Sequence, residues 1–403
     1  TNGEGDHKAI TKNGKVLRYA GIPSPDGKWM AYDDLENNMF LLNLENGKSK
    51  IISSNEEGIG SFSWSPDSKW IAFVQRANNT MAQIHLFSLD TEERFPITTA
   101  RANSLSPQWS PDGKFIYFLS DRSFTTIVGS PWGTRQPEPY FDASEKLYHI
   151  SLQKGTRSPF RKSDELVSKD SKKEDKNEFV NVAIDKKGIA ERITEVPISP
   201  GNYRGLAVTK KAIYLMSSST GINSKTSLSV VKVGNEDVKL KTMIDGVRSF
   251  ELTGNGEKIL VRKGSDFYMI GAGTGKVSEL NSNKINLKGW KFAITPQEDY
   301  KQLFTDAWRM ERDYFYDKNM HGVNWTAMHK KYFPLVTRIT TRDELSDLIG
   351  RFVGELAALH TSVRGGDTRN DQKNIPVANL GARVSRDSKN GGFRIDYIYK
   401  ADP

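Results

Sequence analysis

Apolar and polar residues alternate with a period of two through the first three quarters of the chain, and the alternation restarts after similar turns. Ser24-Pro25-Asp26-Gly27-Lys28-Trp29-Met30-Ala31-Tyr32, Ser65-Pro66-Asp67-Ser68-Lys69-Trp70-Ile71-Ala72-Phe73 and Ser110-Pro111-Asp112-Gly113-Lys114-Phe115-Ile116-Tyr117-Phe118 align, 41 and 45 residues apart. Each reads as a Pro-Asp-Gly type turn running into a strand. A second strand follows, as in Met39-Phe40-Leu41-Leu42-Asn43-Leu44 and Ile84-His85-Leu86-Phe87-Ser88-Leu89. Weaker copies occur at Thr209-Lys210-Lys211-Ala212-Ile213-Tyr214-Leu215 and at Gly254-Asn255-Gly256-Glu257-Lys258-Ile259-Leu260-Val261, 46 residues apart. A period near 40–45 residues with several short strands per unit predicts β-propeller blades. The interval from 110 to 209 spans about two periods and contains Leu147-Tyr148-His149-Ile150-Ser151-Leu152, counted as a divergent blade. Six units result, with a seventh possible at the N-terminus, against a β-sandwich with chance turn similarity as the bland reading. Gly271-Ala272-Gly273-Thr274-Gly275 reads as a hairpin turn between blade strands.

Two insertions break the rhythm. The run 129–141 is rich in Pro and aromatics, which suits an ordered loop, whereas 161–178 carries 12 charges in 18 positions, as expected of a solvated excursion. At Thr295 the period changes to 3.6. Thr295-Pro296-Gln297-Glu298 predicts a capping box, followed by an apolar face of Tyr300, Leu303, Phe304, Ala307, Trp308 and Phe315. Asn324 is placed to cap a shorter helix from Trp325 to Phe333. Thr341-Arg342-Asp343-Glu344 predicts a second capping box ahead of Leu345, Leu348, Ile349, Phe352, Val353 and Leu356. After Gly365-Gly366 and a polar linker, short β patterns return at 377–384 and 393–398. The expected organisation is mainly β with a small α domain: a propeller over 1–294, a three-helix domain over 295–366, a linker over 367–375 and a β segment over 376–403 too short to bury a core.

Composition narrows the function. The 403 residues include no Cys, which removes disulfides, thiolate metal sites and cysteine nucleophiles and fits a cytoplasmic or a periplasmic protein equally. A cytoplasmic location is the working expectation. The net charge of +9 is diffuse, and residues 296–376 are neutral, so no nucleic-acid groove is expected. No apolar run is long enough to span a membrane, and Thr1-Asn2-Gly3-Glu4-Gly5-Asp6 is unlike a signal peptide.

The six histidines form no metal-ligand spacing, so neither a metal nor a cofactor is expected. There is no Gly-x-Ser-x-Gly elbow, and the two Ser-x-x-Lys matches, from Ser151 and from Ser229, fall in blade strands. His360 stands out. Counted four residues on from Leu356, it falls on the buried stripe at the C-terminal end of the third helix, where the helix field favours an imidazolium and suits a general base. A satisfied packing histidine is the bland alternative. His321 and His329 read as structural, and Arg135 and Arg364 as ion-pairing residues.

The run Asp313-Tyr314-Phe315-Tyr316-Asp317-Lys318-Asn319-Met320-His321-Gly322-Val323-Asn324-Trp325 resembles the first core domain of tricorn proteases. So does the stretch from Thr341-Arg342-Asp343-Glu344-Leu345 to Gly354-Glu355-Leu356-Ala357-Ala358-Leu359-His360. The propeller repeats, the Gly-Ser-Pro-Trp-Gly loop and a PDZ-like opening at Leu380-Gly381-Ala382 follow the same module order. The resemblance implies a serine peptidase that trims oligopeptides, assembles as a homo-oligomer and uses its propeller as a substrate filter or channel. It implies that His360 is the general base. Where the founding pattern has Ser before this His, Leu359 stands here. The resemblance places the nucleophilic serine and the acidic relay residue in a second core domain beyond the PDZ-like module, so this chain alone is expected to be inactive. The alternative is a TolB-type propeller scaffold that binds a partner protein without catalysis. A prolyl-oligopeptidase-like enzyme is a weaker third, because helices and not an α/β-hydrolase pattern follow the propeller.

Overall fold

The computed structural model describes residues 9–11, 14, 16–122, 125–127, 140–164, 180–221, 223–289, 291, 293–366 and 380–400, without the side chains of 125–127, 140 and 141. The chain divides into two compact units, Thr1–Trp290 and Lys291–Pro403.

The first unit is built from antiparallel sheets that meander in chain order. Blade 1 comprises Ile22–Pro23, Trp29–Asp33, Asn38–Asn43 and Ser49–Ser54. Blade 2 comprises Ile59–Trp64, Trp70–Arg76, Ala82–Ser88 and Arg94–Pro96. Blade 3 takes Ser104–Trp109, Phe115–Ser120, Lys146–Ser151 and Ile193–Glu195. Blade 4 takes Asn202–Val208, Ala212–Ser218, Thr226–Lys232 and Leu240–Asp245, and blade 5 the three strands Ser249–Leu252, Lys258–Lys263 and Asp266–Gly271.

The repeated turn works by one hydrogen-bond ring. In blade 2 the Ser65 hydroxyl donates to Asp67 Oδ1 at 2.6 Å, the same oxygen accepts from Lys69 N–H at 3.2 Å, and Trp70 N–H donates to Ser65 Oγ at 2.9 Å. Blades 1 and 3 repeat the ring through Ser24/Asp26 and Ser110/Asp112. Blade 5 keeps its geometry with changed letters: Thr253 donates to Asn255, and Lys258 N–H donates to Thr253. The residue after the Asp or Asn is left-handed in each, at φ 72°, 61°, 69° and 70° for Gly27, Ser68, Gly113 and Gly256. Glycine adopts that conformation without the Cβ penalty, so three of the four positions are Gly.

The blade assignment differs from the spacing argument at one point. Lys146–Ser151 pairs in register with Phe115–Ser120, from Phe115 opposite Ser151 to Ser120 opposite Lys146. It is therefore the third strand of blade 3 and not a divergent sixth unit. The long interval arises because blade 3 holds both insertions, one before and one after this strand. The described residues thus form five blade sheets, where six or seven were expected. A short ribbon of Thr125–Ile127 with Tyr140–Asp142 accompanies them, and the rest of the run 129–141 lies outside the described residues, as does most of 161–178.

Four apolar seams join the sheets in series. Met39, Leu41, Phe62, Trp64 and Phe73 join blade 1 to blade 2, and Val74, Ile84, Trp109 and Phe118 join blade 2 to blade 3. Tyr117, Leu147, Leu206 and Ile213 join blade 3 to blade 4, and Tyr214, Val230, Ile259 and Ile270 join blade 4 to blade 5. No such cluster links blade 5 to blade 1 among the described residues. After Gly271 the chain passes a 3₁₀ turn, Leu280–Asn283, and returns antiparallel to the last strand through one bridge, Tyr268 opposite Lys284, so the reversal is wider than the expected hairpin turn and leads to no full strand.

The second unit holds three α-helices: α1 (Pro296–Tyr314), α2 (Trp325–Tyr332) and α3 (Arg342–Gly354). Thr341 and Glu344 form the expected capping box, and Asn324 caps α2 by accepting from Ala327 N–H at 2.9 Å. Thr295 takes the N-cap position, with Pro296 first in the helix, but the expected capping box does not form. The Thr295 side chain makes no cap bond, and the first turn of α1 hangs from its carbonyl, which accepts from Glu298 and Asp299. The expected apolar stripes meet in one core around Phe304, Trp325, Leu345, Phe352 and Leu356. Phe304 lies 4.8 Å from Phe352, ring to ring, and Trp325 stacks on Phe352 at 4.2 Å. A hairpin of Ala382–Asp387 and Gly392–Ile398 ends the described chain. Its side chains are mostly exposed, Phe393 at 77%, and none joins the helical core.

Candidate functional site

His360 stands on the turn that follows α3, and the structure corrects where the sequence places it. The helix ends at Gly354, with Glu355, Leu356 and Ala357 closing a tight last turn onto the carbonyls of Phe352, Val353 and Gly354. Ala357 then adopts φ 51° and turns the chain away. Counting four residues on from Leu356 assumed that the helix continued, so His360 is exposed and not part of the buried stripe. It also lies beyond the last turn, where the helix-end field fades.

The turn is tied down just before His360. Leu356 is fully buried, while Ala358 and Val363 pack against the same core. The Glu355 carboxylate accepts from Lys331 Nζ at 2.7 Å and from the Tyr332 hydroxyl at 2.6 Å. Those two donors, Lys331 first, hold its pKa below the usual carboxylate value. The Leu356 carbonyl, past the helix end, faces His321 Nδ1 at 2.9 Å. A carbonyl only accepts, so Nδ1 carries the proton. In the neutral ring Nε2 is then an acceptor, and it faces the Tyr316 hydroxyl within hydrogen-bonding distance.

The backbone beneath His321 is unusual. Met320, His321 and Gly322 have φ values of 53°, 54° and 79°, three left-handed residues in succession. For the two residues with a Cβ this costs about 1–2 kcal/mol each. Burial of the Met320 side chain offsets part of it, as do the bonds from Asn319 N–H and His321 N–H to the two Asp317 carboxylate oxygens, both 2.9 Å.

The other described histidines are engaged or enclosed. His329 is ringed by Phe304, Trp308 and Phe333 at 5.8, 5.0 and 5.0 Å, and burial lowers its pKa. His149 is wholly buried, and its Nε2 faces Ser158 Oγ at 2.7 Å. Among the described histidines, His360 alone combines an exposed side chain with ring nitrogens that no described group engages. No described serine or acid touches it. Arg364 is exposed, and Arg135 lies outside the described residues. No group of three or more His, Asp or Glu among the described residues could hold a metal ion.

Residues 1–273 match the family described as the tricorn protease second beta propeller domain, and residues 296–354 match the tricorn protease C1 domain. The chain belongs to the tricorn protease family. Tricorn protease homolog 1 of Streptomyces coelicolor is 26% identical over 96% of this chain and 37% of its own length. The tricorn protease homolog of Saccharolobus solfataricus is 27% identical over 99% and 36%, respectively. A putative tricorn-like protease C-terminal subunit of Sulfurisphaera tokodaii is 26% identical over 94% of this chain and 43% of its own. The chain thus spans well under half the length of the curated relatives it matches. The crystal structure of the tricorn protease superposes with a TM-score of 0.73 at 20% identity, over 92% of this chain and 36% of that one, a likeness of fold. His360 falls six residues beyond the matched C1 segment.

Proposed function

We propose that these residues are the propeller and first core portion of a longer tricorn-type serine peptidase that cleaves oligopeptides, with His360 as its general base. One observation carries the reading: an imidazole whose two nitrogens meet no partner among the described residues sits on an exposed turn whose root is fixed in the helical core. A base so placed is available to a nucleophile delivered by another segment, whereas the buried histidines are not. In the reaction, His360 takes the proton from the serine hydroxyl as it attacks the scissile carbonyl. It then returns that proton to the leaving amine. The nucleophile and the acidic relay residue lie outside these 403 residues, in keeping with the 36–43% of the curated relatives' lengths that the chain covers. The 403-residue chain by itself is therefore inactive. The blades act as a filter or channel that delivers extended peptides, the full-length protein is a homo-oligomer, and it works in the cytoplasm.

The test compares fluorogenic oligopeptide cleavage by the longest natural form of the protein and by the 403-residue chain. Turnover confined to the longer form, and blocked by a serine-directed fluorophosphonate, is the expected result. Turnover by the 403-residue chain alone would refute the assignment of the nucleophile to another segment.

A further inference from the structure

On the turn that carries His360, one backbone carbonyl is held by an exposed side chain. Leu356 marks the point where the chain leaves the helical core. Its side chain is fully buried, its carbonyl accepts from His321 Nδ1–H at 2.9 Å, and the next residue, Ala357, turns the chain out at φ 51°. Three residues later comes His360.

His321 does not belong to the apolar core, although its neighbour Met320 does. Its ring stands edge-on to Phe315 at 5.0 Å and to Tyr316 at 5.2 Å, two rings themselves 4.9 Å apart, so both pack against one side of it. The Tyr316 hydroxyl donates to Nε2, which fixes the tautomer that leaves Nδ1–H for Leu356. The left-handed backbone of residues 320–322 brings this about, with Asp317 accepting from the amides of Asn319 and His321. Strained backbone persists only where its surroundings hold it, and here its product is one directed N–H donor. A histidine present for packing would not need that aim.

We infer that His321 is a positioning residue for His360, its Nδ1–H clamping the Leu356 carbonyl and so fixing the turn that presents the catalytic imidazole. The inference rests on the reading of His360 as the general base. Tyr316 acts one step further back, by orienting the His321 ring. A turn freed from the clamp samples many orientations, and a general base loses rate quickly when its geometry loosens.

Two substitutions separate clamping from bulk. His321→Phe keeps a ring and loses both hydrogen bonds. His321→Asn places an amide N–H close to the position of Nδ1 and tolerates the left-handed backbone. Amide hydrogen exchange on the 403-residue chain reads the turn directly, because the amides of 355–357 are bonded to Phe352, Val353 and Gly354. In His321→Phe these amides should exchange about tenfold faster, with those of residues 348–352 unchanged, and in His321→Asn most of the protection should remain. In the longest natural form, His321→Phe should lower kcat about tenfold at unchanged KM, and His321→Asn should recover most of it. Unchanged exchange in His321→Phe overturns the clamp. Faster exchange with an unchanged kcat, while His360→Ala is inactive, overturns the positioning role. An active His360→Ala variant refutes the general-base reading and the positioning role with it, and the exchange data then judge the clamp alone.

Discussion

Acid should weaken the propeller through His149. This side chain is wholly buried in blade 3, with Phe115 edge-on at 5.2 Å and Tyr117 and Phe160 each at 5.8 Å. Its Nε2 faces Ser158 Oγ, and its Nδ1 is buried without a partner. Burial pushes its pKa from 6.5 down to about 4, because an imidazolium there would lose its hydration without gaining a counter-charge. The native state therefore refuses a proton that the unfolded chain accepts. Above pH 6.5 the ring is neutral in both states and its contribution is fully present; stability is lost as the pH falls from 6.5 toward 4. Each unit of difference corresponds to about 1.4 kcal/mol, so the full loss is about 3 kcal/mol and the loss by pH 5 about 2 kcal/mol. His85, also pushed down to about 4 by burial and by Arg94, adds a slope of the same sign. The variant His149→Phe isolates the first term. Urea unfolding followed by tryptophan fluorescence, at pH 7 and pH 5, should show the parent losing about 2 kcal/mol more than the variant. Equal losses would show that His149 is protonated in the native state, and the burial argument would fall.

Two further predictions concern the turns. The second carboxylate oxygen of Asp67 accepts from Val182 N–H at 2.9 Å, a strap bond that Asp112 has no counterpart for among the described residues. Asp67→Ala should therefore destabilise the propeller by about 1–2 kcal/mol more than Asp112→Ala, measured by denaturant midpoint; equal effects would rule the strap bond out as a contributor. Gly27 and Gly113 are both left-handed, but a Cβ on Gly113 would stand 2.8 Å from Val182 and 2.9 Å from Val180, whereas one on Gly27 meets nothing within 4 Å. Gly113→Ala should then cost about 1–3 kcal/mol beyond Gly27→Ala by thermal unfolding, and similar melting temperatures would contradict the packing.

Much of this fold was legible because its repeat is local chemistry. Ser, Asp and a left-handed residue close a ring within six positions, so the turn is visible in the letters, and even Thr253-Gly254-Asn255-Gly256 keeps the ring through changed residues. The helical stripes were legible for the same reason, since Leu345, Leu348, Ile349, Phe352 and Val353 are all buried at the predicted spacing. What failed depended on pairing or on the exact helix end. Nothing near Leu147 announces that its strand pairs back to Phe115–Ser120 across an insertion; only the register decides it. Thr295 takes the cap position its letters announce, yet its side chain bonds no helix amide. Gly354 was the available sign that α3 stops short of His360, and periodicity carried the count past it. His321 reads as structural in the sequence, because its contact with Leu356 is a tertiary bond to a residue 35 positions away. The adjacent left-handed glycine, Gly322, was its one trace in the sequence.

The central claim is that His360 is the general base of a tricorn-type peptidase. Its most direct test is the steady-state rate of oligopeptide cleavage by the longest natural form carrying His360→Ala, beside the unchanged protein. The expected result is a loss of about a thousandfold or more in kcat with the fold intact by circular dichroism, and partial recovery on adding free imidazole. Cleavage by His360→Ala at the rate of the unchanged protein would contradict it.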